Sequence, residues 1–306
     1  MNEISMKAYA KINLSLDVIG KQADGYHQVE MIMHQVNLYD TVTVGILPLD
    51  TDEDAIEVST NQATLLTDRT NLAYKAAELM KNYYNKAGRI TIHLDKKIPI
   101  AAGLAGGSAD AAAVLLALSQ LWELDLELQE LLQLAVKLGA DVPFCVMGQA
   151  YKGRDLRLRG RENASSCALA EGIGEILTPL PPLQSLILIT KPSIAVSTAE
   201  VYGNFRMEQV AQHPNTRELM EGLKEKNLNK IQKNMINVLE IVTLSNYPEV
   251  LRTKQEIEAL KTAYQVLMSG SGPTIFALYT NREKAKNAYI NSRKKNEETY
   301  LIRTLS

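Results

Sequence analysis

The sequence is poor in what would tie it to a metal, a membrane or an oxidising compartment. It has two cysteines, Cys145 and Cys167, which make neither a disulfide framework nor a thiolate metal site. No apolar run approaches the roughly 20 residues of a transmembrane helix. The N-terminal stretch MNEISMKAYAKINLSLDV alternates instead of running apolar, so it is not a signal peptide. No charge of one sign dominates: 33 Lys and Arg face 35 Asp and Glu, a formal net charge of −2. That argues against a bulk nucleic-acid binder, although not against a local basic patch. What remains is a cytoplasmic enzyme or binding protein. At 46% hydrophobic and 22% charged, 306 residues have room for a real core, and two domains are expected.

In residues 6–20, Ala8, Ala10, Ile12, Leu14, Leu16 and Val18 share one parity, the signature of a half-buried strand. Gly20 and Asp24-Gly25 mark a turn. Residues 26–37, 41–46 and 89–95 read as further strands, with an acidic loop at 50–54. Helical spacing predicts a helix over 71–84, capped by Thr70 or Asp68, and a second over 127–138. The Ala- and Leu-rich stretch 108–121 has no Gly or Pro and predicts a buried helix. Prolines 179, 181 and 182 suggest a linker. Beyond it we expect strands at 184–190, 264–269, 274–279 and 298–303. Helices are expected near 198–206, 215–224, 229–243, 248–263 and 283–293. The pattern is α+β with no internal repeat. The expected domains are 1–165 and 166–306.

The most informative segment runs Pro99-Ile100-Ala101-Ala102-Gly103-Leu104-Ala105-Gly106-Gly107-Ser108-Ala109-Asp110, entered by a strand and left by a helix. Small residues let backbone N–H groups approach an anion, and a helix N-terminus adds about half a positive charge. A phosphate suits that place; a bare strand-to-helix turn is the other reading. Ser108, at the expected helix start, can cap the helix, bond a phosphate or reach a magnesium ion. The spacing is neither a Walker A loop nor a Rossmann fingerprint. Lys11 and Asn13 lie two apart on one strand face with Tyr9, Ser15 and Asp17, a face that lines a cleft or simply meets solvent. Asp141, in Gly139-Ala140-Asp141-Val142-Pro143-Phe144, is a carboxylate in apolar surroundings between a helix and an expected strand, or a cap. Met268-Ser269-Gly270-Ser271-Gly272-Pro273-Thr274 is a second Gly/Ser loop, or a hairpin turn.

Together these segments resemble the galactokinase–homoserine kinase–mevalonate kinase–phosphomevalonate kinase (GHMP) superfamily. All three of its marks occur in order: the Lys-bearing strand, the glycine-rich phosphate loop and the late Gly-Ser-Gly-Pro loop. Further stretches narrow the resemblance to one branch. They are Ala10-Lys11-Ile12-Asn13-Leu14, Asp24-Gly25-Tyr26-His27, Asn71-Leu72, residues 139–143, Ala170-Glu171-Gly172-Ile173-Gly174-Glu175, Lys191-Pro192 with Ser197-Thr198, and Asn237-Val238-Leu239-Glu240. The resemblance covers nearly the whole chain.

It implies a ribosomal-S5-like N-terminal domain and a ferredoxin-like C-terminal α/β sandwich, with the site in a cleft between them. It implies that ATP, with Mg2+, phosphorylates a hydroxyl of a methylerythritol unit carrying a cytidine diphosphate group. Lys11 and Asp141 would be catalytic. Asn71 would lie at the adenine. Pro99, Ala101, Ala102, Gly103, Leu104, Ala105, Gly106, Gly107, Ser108 and Ala109 would form the nucleotide loop. Asn13, Tyr26, His27, Gly270, Ser271 and Gly272 would meet the substrate. His34, His93 and His213 match no motif and read as structural. No nucleic-acid or membrane partner is implied.

Two departures from the superfamily stand out. Ala109 replaces a common second serine, predicting weaker activity if that hydroxyl helps. About 17 residues, Ala150 to Ser166, intervene before Ala170-Glu171, with Lys152, Arg154, Arg157, Arg159 and Arg161 against Asp155 and Glu162. A solvated loop is the expectation; a hairpin of arginines over the polyphosphate, or a partner-binding segment, is the alternative. With Tyr151 its only ring, it makes a poor nucleic-acid binder. A nucleotide-binding protein without turnover, or another kinase of the superfamily, remains the competing reading of the whole chain.

Overall fold

The computed structural model describes residues 2–21, 25, 27–47, 55–153 and 155–306. The acidic loop at 50–54, and Asp24, Tyr26 and Arg154, lie outside the described residues. The alternation near the N-terminus builds β1 (Asn2–Lys21), with Ala8, Ala10, Ile12, Leu14, Leu16 and Val18 all buried. It pairs with β2 (His27–Leu47), one long strand where two were expected. Asp40, wholly buried, explains the difference. Its carboxylate accepts hydrogen bonds from the amides of Lys97 and Ile98 and from Lys96 Nζ, so a residue that reads as a break is satisfied within the sheet.

The chain divides into two compact units, each assembled from separate segments: Met1–Ala10, Leu38–Ile98 and Ala105–Ser166; and Lys11–Asn37, Pro99–Leu104 and Cys167–Ser306. In the first, β3 (Ile56–Thr60), a short strand the sequence reading missed, pairs in parallel with β4 (Arg89–Asp95). Helix α1 (Leu72–Tyr83) connects them. The later part of β2 pairs antiparallel with β4. Asn71, not Thr70 or Asp68, caps α1: its Oδ1 accepts the Ala73 amide at 2.9 Å. The centre is α2 (Gly106–Leu121), buried without interruption from Ala109 to Ser119. A helix with no polar face belongs inside a core. It packs against α1 and α4 (Val142–Lys152), and α3 (Leu128–Val136) packs on α4.

Two expectations fail in this unit. A strand was expected after Asp141, but α4 begins there. An unbroken run such as Val142–Met147 has no period to separate helix from strand, and Pro143 is compatible with a first turn. Nor is 150–166 a solvated loop. Ala150 extends α4 in the core, and Leu158 is buried against it. Gln120 bonds both the amide and the carbonyl of Arg157, while Arg159 exchanges backbone bonds with Leu126 and Leu128. Arg159 faces Asp125 and Glu127, and Arg161 bonds the Gly153 carbonyl. Gln120 ends α2, roughly 20 Å along the axis from Gly106 at 1.5 Å per residue. Arg157 is therefore held at the opposite end of α2 from the glycine loop.

In the second unit, the first part of β2 pairs with β5 (Cys167–Glu171), and β5 with β6 (Ile176–Leu180). Pro179 lies in β6, so the expected linker is partly a strand. A separate antiparallel sheet has the order β10 (Glu298–Arg303), β7 (Leu186–Lys191), β9 (Ile275–Tyr279), β8 (Gln265–Met268). Helices α5 (Thr198–Asn204), α6 (Thr216–Glu225), α7 (Leu228–Asn234), α8 (Glu240–Asn246) and α9 (Pro248–Ala259) lie between β7 and β8 in the chain. Helix α10 (Arg282–Arg293) joins β9 to β10. This is the ferredoxin-like strand order. The helix expected over 229–243 is split into α7 and α8. Leu16 of β1 takes the intervening backbone, donating to Ile236 O and accepting from Val238 N at 2.9 and 3.0 Å.

His34 is buried, with Nδ1 2.8 Å from Gln35 O and Nε2 accepting the Leu183 amide at 2.9 Å. That pattern fixes a neutral ring with its proton on Nδ1. Burial pulls its pKa from 6.5 to about 4, against the two backbone bonds that raise it.

Leu158→Ala is expected to destabilise by about 2–3 kcal/mol in urea melts, whereas Arg159→Ala, an exposed ion-pair member, should cost under about 0.5 kcal/mol. Equal small effects would mean that the segment does not pack. The unfolded chain protonates His34 below about pH 6.5 and the folded one only near 4. The stabilisation is therefore full above 6.5 and declines as pH falls toward 4, by about 3 kcal/mol. His34→Gln should show a shallower loss of melting temperature between pH 7 and 4.5; an unchanged slope would refute the assignment.

Candidate active site

The glycine loop leaves the first unit after Ile98 and returns at Ala105. Ala101, Gly103 and Ala105 all have positive φ, at 50°, 71° and 57°. Left-handed residues recurring at alternate positions turn amides inward, as in anion-binding nests. Gly103 is obligatory on two counts. Besides its φ, a Cβ there would lie 2.3 Å from Ser269 O. The Gly103 carbonyl accepts Ser269 Oγ at 2.9 Å, and Leu104 O accepts the Lys11 amide at 3.1 Å.

Strand β1 supplies the polar row that alternation predicted, but its central positions are not solvated. Lys11 is 4% exposed, Asn13 and Ser15 are fully buried, and Asp17 is 6% exposed. Lys11 Nζ donates to Asn13 Oδ1 at 2.8 Å, and Asn13 Nδ2 lies 3.2 Å from Met31 Sδ. The Gly/Ser loop closes against them. A Cβ on Gly270 would stand 3.6 Å from Lys11 Nζ, and Gly270 and Gly272 both have positive φ. Ser271 Oγ pairs with Thr198 Oγ1 at 2.9 Å. Asn237 Nδ2 donates to Met268 O and Gly270 O, and Thr243 Oγ1 donates to Ser271 O. Asn237, Thr198 and Thr243 were thus missed as supports of this loop.

The first unit holds the remaining candidates. Helix α2 starts at Gly106, after Ala105 in the N-cap position, so Ser108 is not the cap. The amides of Gly106, Gly107 and Ser108 have no partners within the helix and face its positive end. Ala109, at the end of the loop segment, has a wholly buried side chain, and its amide bonds Ala105 O at 2.9 Å. Asp141 occupies the N-cap of α4 in helical conformation, but its side chain makes no capping bond. Asn71 uses its side chain twice, on Ala73 N and Leu66 O.

His27 of β2 sits with its ring centroid 5.2 Å from Tyr202 and 6.5 Å from Phe205, an aromatic recess of the second unit. Desolvation, with the nearby Lys21, lowers its pKa, so the neutral ring is favoured. Tyr26 lies outside the described residues. His93 meets Ser59, and His213 Nδ1 meets both oxygens of Asp17 at 2.8 and 3.0 Å. Among the described residues no three His, Cys, Asp or Glu side chains gather as a metal site. The amides at the head of α2 suit a phosphate, and the Ser108 hydroxyl oxygen is the group there that would meet a magnesium ion carried on it, an ion that keeps most of its ligands from water and phosphate.

Comparison with known proteins meets this geometry. Residues 71–149 match the family model "GHMP kinases N terminal domain", and residues 218–291 match "GHMP kinases C terminal". Together they define an ATP-dependent kinase of small molecules. The chain is 42% identical over 307 residues to the 4-diphosphocytidyl-2-C-methyl-D-erythritol kinase of Alkaliphilus metalliredigens, covering 100% of this chain and 98% of that one. It is 43% identical over 290 residues to the enzyme of that name from Lachnoclostridium phytofermentans, covering 94% and 92%. A solved 4-(cytidine 5'-diphospho)-2C-methyl-D-erythritol kinase superposes with a TM-score of 0.79 at 30% identity, over 99% of this chain and 100% of that one. The homoserine kinase of Cytophaga hutchinsonii shares the fold, with a TM-score of 0.72 at 21% identity over 100% and 95%. The chain belongs to the GHMP kinase family, in the branch formed by the 4-diphosphocytidyl-2-C-methyl-D-erythritol kinases.

Gly103→Ala is expected to cost about 1–3 kcal/mol in a denaturant melt, because both φ and the Ser269 carbonyl oppose the methyl group. Gly203→Ala, in α5 with open space at its Cβ, should be neutral or stabilising by up to about 1 kcal/mol. Equal effects would disprove the close packing of the loop.

Proposed function

We propose that this chain transfers the γ-phosphoryl group of ATP to the 2-hydroxyl of 4-diphosphocytidyl-2-C-methyl-D-erythritol, giving the 2-phosphate and ADP, in the non-mevalonate route to isoprenoids. The observation that carries the reading is the buried Lys11–Asn13 pair, bonded to the glycine loop at Leu104 and standing against Gly270. It occurs in a chain 42% identical over its length to kinases of that name. We place the catalytic part in 1–165, with 166–306 as its C-terminal companion, in the cytoplasm.

The substrate hydroxyl oxygen attacks the γ-phosphorus, the bond to the ADP oxygen breaks, and the hydroxyl proton passes to the Asp141 carboxylate. Lys11 Nζ stabilises charge on the transferring group, and Asn13 holds Lys11 and orients the acceptor. Amides of 103–108, shaped by Pro99, Ala101, Ala102 and Ala105, cradle the phosphates, and Asn71 borders the adenine. Tyr26 and His27 take the cytosine, the neutral His27 ring serving as a hydrogen-bond partner. Gly270, Ser271 and Gly272 form the floor under the acceptor. Magnesium, held through Ser108 and the nucleotide, would neutralise phosphate charge. Phosphoryl transfer needs mainly positioning and electrostatics, so this short set is sufficient.

The test is ADP release from Mg-ATP with the cytidyl substrate, with homoserine and mevalonate run in parallel. Turnover with the cytidyl substrate alone is expected. Lys11→Ala and Asp141→Ala should fold normally and lose roughly 10²–10⁴-fold in kcat. His27→Ala should chiefly raise KM for the cytidyl substrate. Turnover of homoserine or mevalonate, or ATP binding by a folded protein with no turnover, would overturn the proposal.

A further inference from the structure

Three buried charges of the first unit have no part in the chemistry above. Lys96 Nζ lies 2.5 Å from Asp40 Oδ2 and 2.5 Å from Asp110 Oδ2, the three side chains being 4%, 0% and 2% exposed. The other oxygen of Asp40 accepts the amides of Lys97 and Ile98 at 2.5 and 2.8 Å. The arrangement brackets one segment of chain. Lys97 and Ile98 are the last residues before Pro99, and Asp110 is in the second turn of α2, just after Ala105. Gly106 packs directly on the cluster: a Cβ there would meet Ile98 Cγ2 at 3.2 Å and Lys96 Nζ at 3.5 Å.

The cluster is an expensive way to fill an interior. Two carboxylates share one ammonium, and Asp110 Oδ1 has no hydrogen-bond partner among the described residues. Apolar residues of similar volume commonly give equal or greater stability. What they would not supply is a directional tie between β2, the chain after β4, and α2. We propose that Asp40, Lys96 and Asp110 are positioning residues for the glycine loop. They hold the backbone where it enters and leaves 99–105, so that ATP meets a cradle already formed. The proposal rests on the reading that this loop takes the phosphates of ATP. A preformed cradle spares the ordering cost that a loose loop would incur on binding. Burial pushes the Asp110 carboxyl upward, Lys96 opposes this and Asp40 reinforces it, leaving it at about 7. An asparagine at 110 keeps an oxygen that can accept from Lys96 Nζ.

The experiment compares Asp110→Ala, Asp110→Asn and the parent by amide hydrogen exchange without nucleotide, and by KM for ATP and for the cytidyl substrate. Asp110→Ala should speed exchange across 99–107 by about tenfold or more and raise KM for ATP by a similar factor. KM for the cytidyl substrate should stay within about twofold, and Asp110→Asn should restore both readouts to within about threefold of the parent. Unchanged loop exchange and ATP KM in Asp110→Ala would overturn the proposal. So would a general loss of stability that moves both KM values together. If Asp110→Ala does not fold, Asp40→Asn, which turns an amide NH2 toward the ammonium, is read by the same criteria. Faster loop exchange in the variant of a parent that never turns over ATP would retain the clamp and sink the kinase reading instead.

Discussion

The second unit depends on the close approach of two glycine-bearing loops, Gly103 to Ser269–Gly272. No side chain fits at Gly103, and the Ser269 hydroxyl and the Lys11 amide hold the two carbonyls on either side of the Gly103–Leu104 link. Much else in the second unit follows from keeping this contact in register. Asn237 interrupts what would be one helix in order to hold Met268 O and Gly270 O, and the backbone beside it pairs with Leu16. A broken helix and a buried amide are unfavourable locally. They tie the loop to the same strand that carries Lys11.

The first unit treats its share of the loop differently. Helix α2 is nearly all Ala, Val and Leu after its first turn, and it packs against α1 and α4, with the buried Asp110–Lys96 ion pair at its start. The dense apolar packing gives the helix N-terminus a fixed direction, which an anion site made of amides requires. Small side chains at 109 and 111–113 let neighbouring helices approach closely. Ala109 is one of these packing residues, directly after the three amides that open the helix.

Much of this was legible in the sequence where one physical signal acts alone. The alternation of β1, the run of small residues at 99–109 and the glycines at 270 and 272 each have a single structural solution, and each was read correctly as to type. Legibility failed where a distant partner satisfies a local misfit. Asp40 looked like a strand break because Lys96 and the amides of 97 and 98 are more than fifty residues away. The 229–243 helix looked continuous because Leu16 is invisible from there. In 150–166 a signal existed and was outweighed by charge: Leu156-Arg157-Leu158-Arg159 alternates, and the alternation marks a segment with a buried side. The supports of the late Gly/Ser loop were not visible, since Thr198, Asn237 and Thr243 act through backbone groups and hydroxyls brought close by folding.

Buried polarity in this chain is therefore best understood by what it holds in place. Lys11–Asn13, Asn237 and the Asp40–Lys96–Asp110 cluster all desolvate groups that water would stabilise, and none is needed to close an apolar core. Each ends on the backbone of, or on the residues flanking, one of the two glycine-rich loops. Glycine-rich backbone is the most flexible in the chain, and its ordering entropy opposes any rigid site built from it. Apolar contacts are non-directional and would leave the amides free to rotate; hydrogen bonds and ion pairs to loop ends set an angle as well as a distance. Any site that presents amides to an anion needs that angular control. At these three places hydrogen bonds and ion pairs, rather than apolar contacts, hold the ends of the loops.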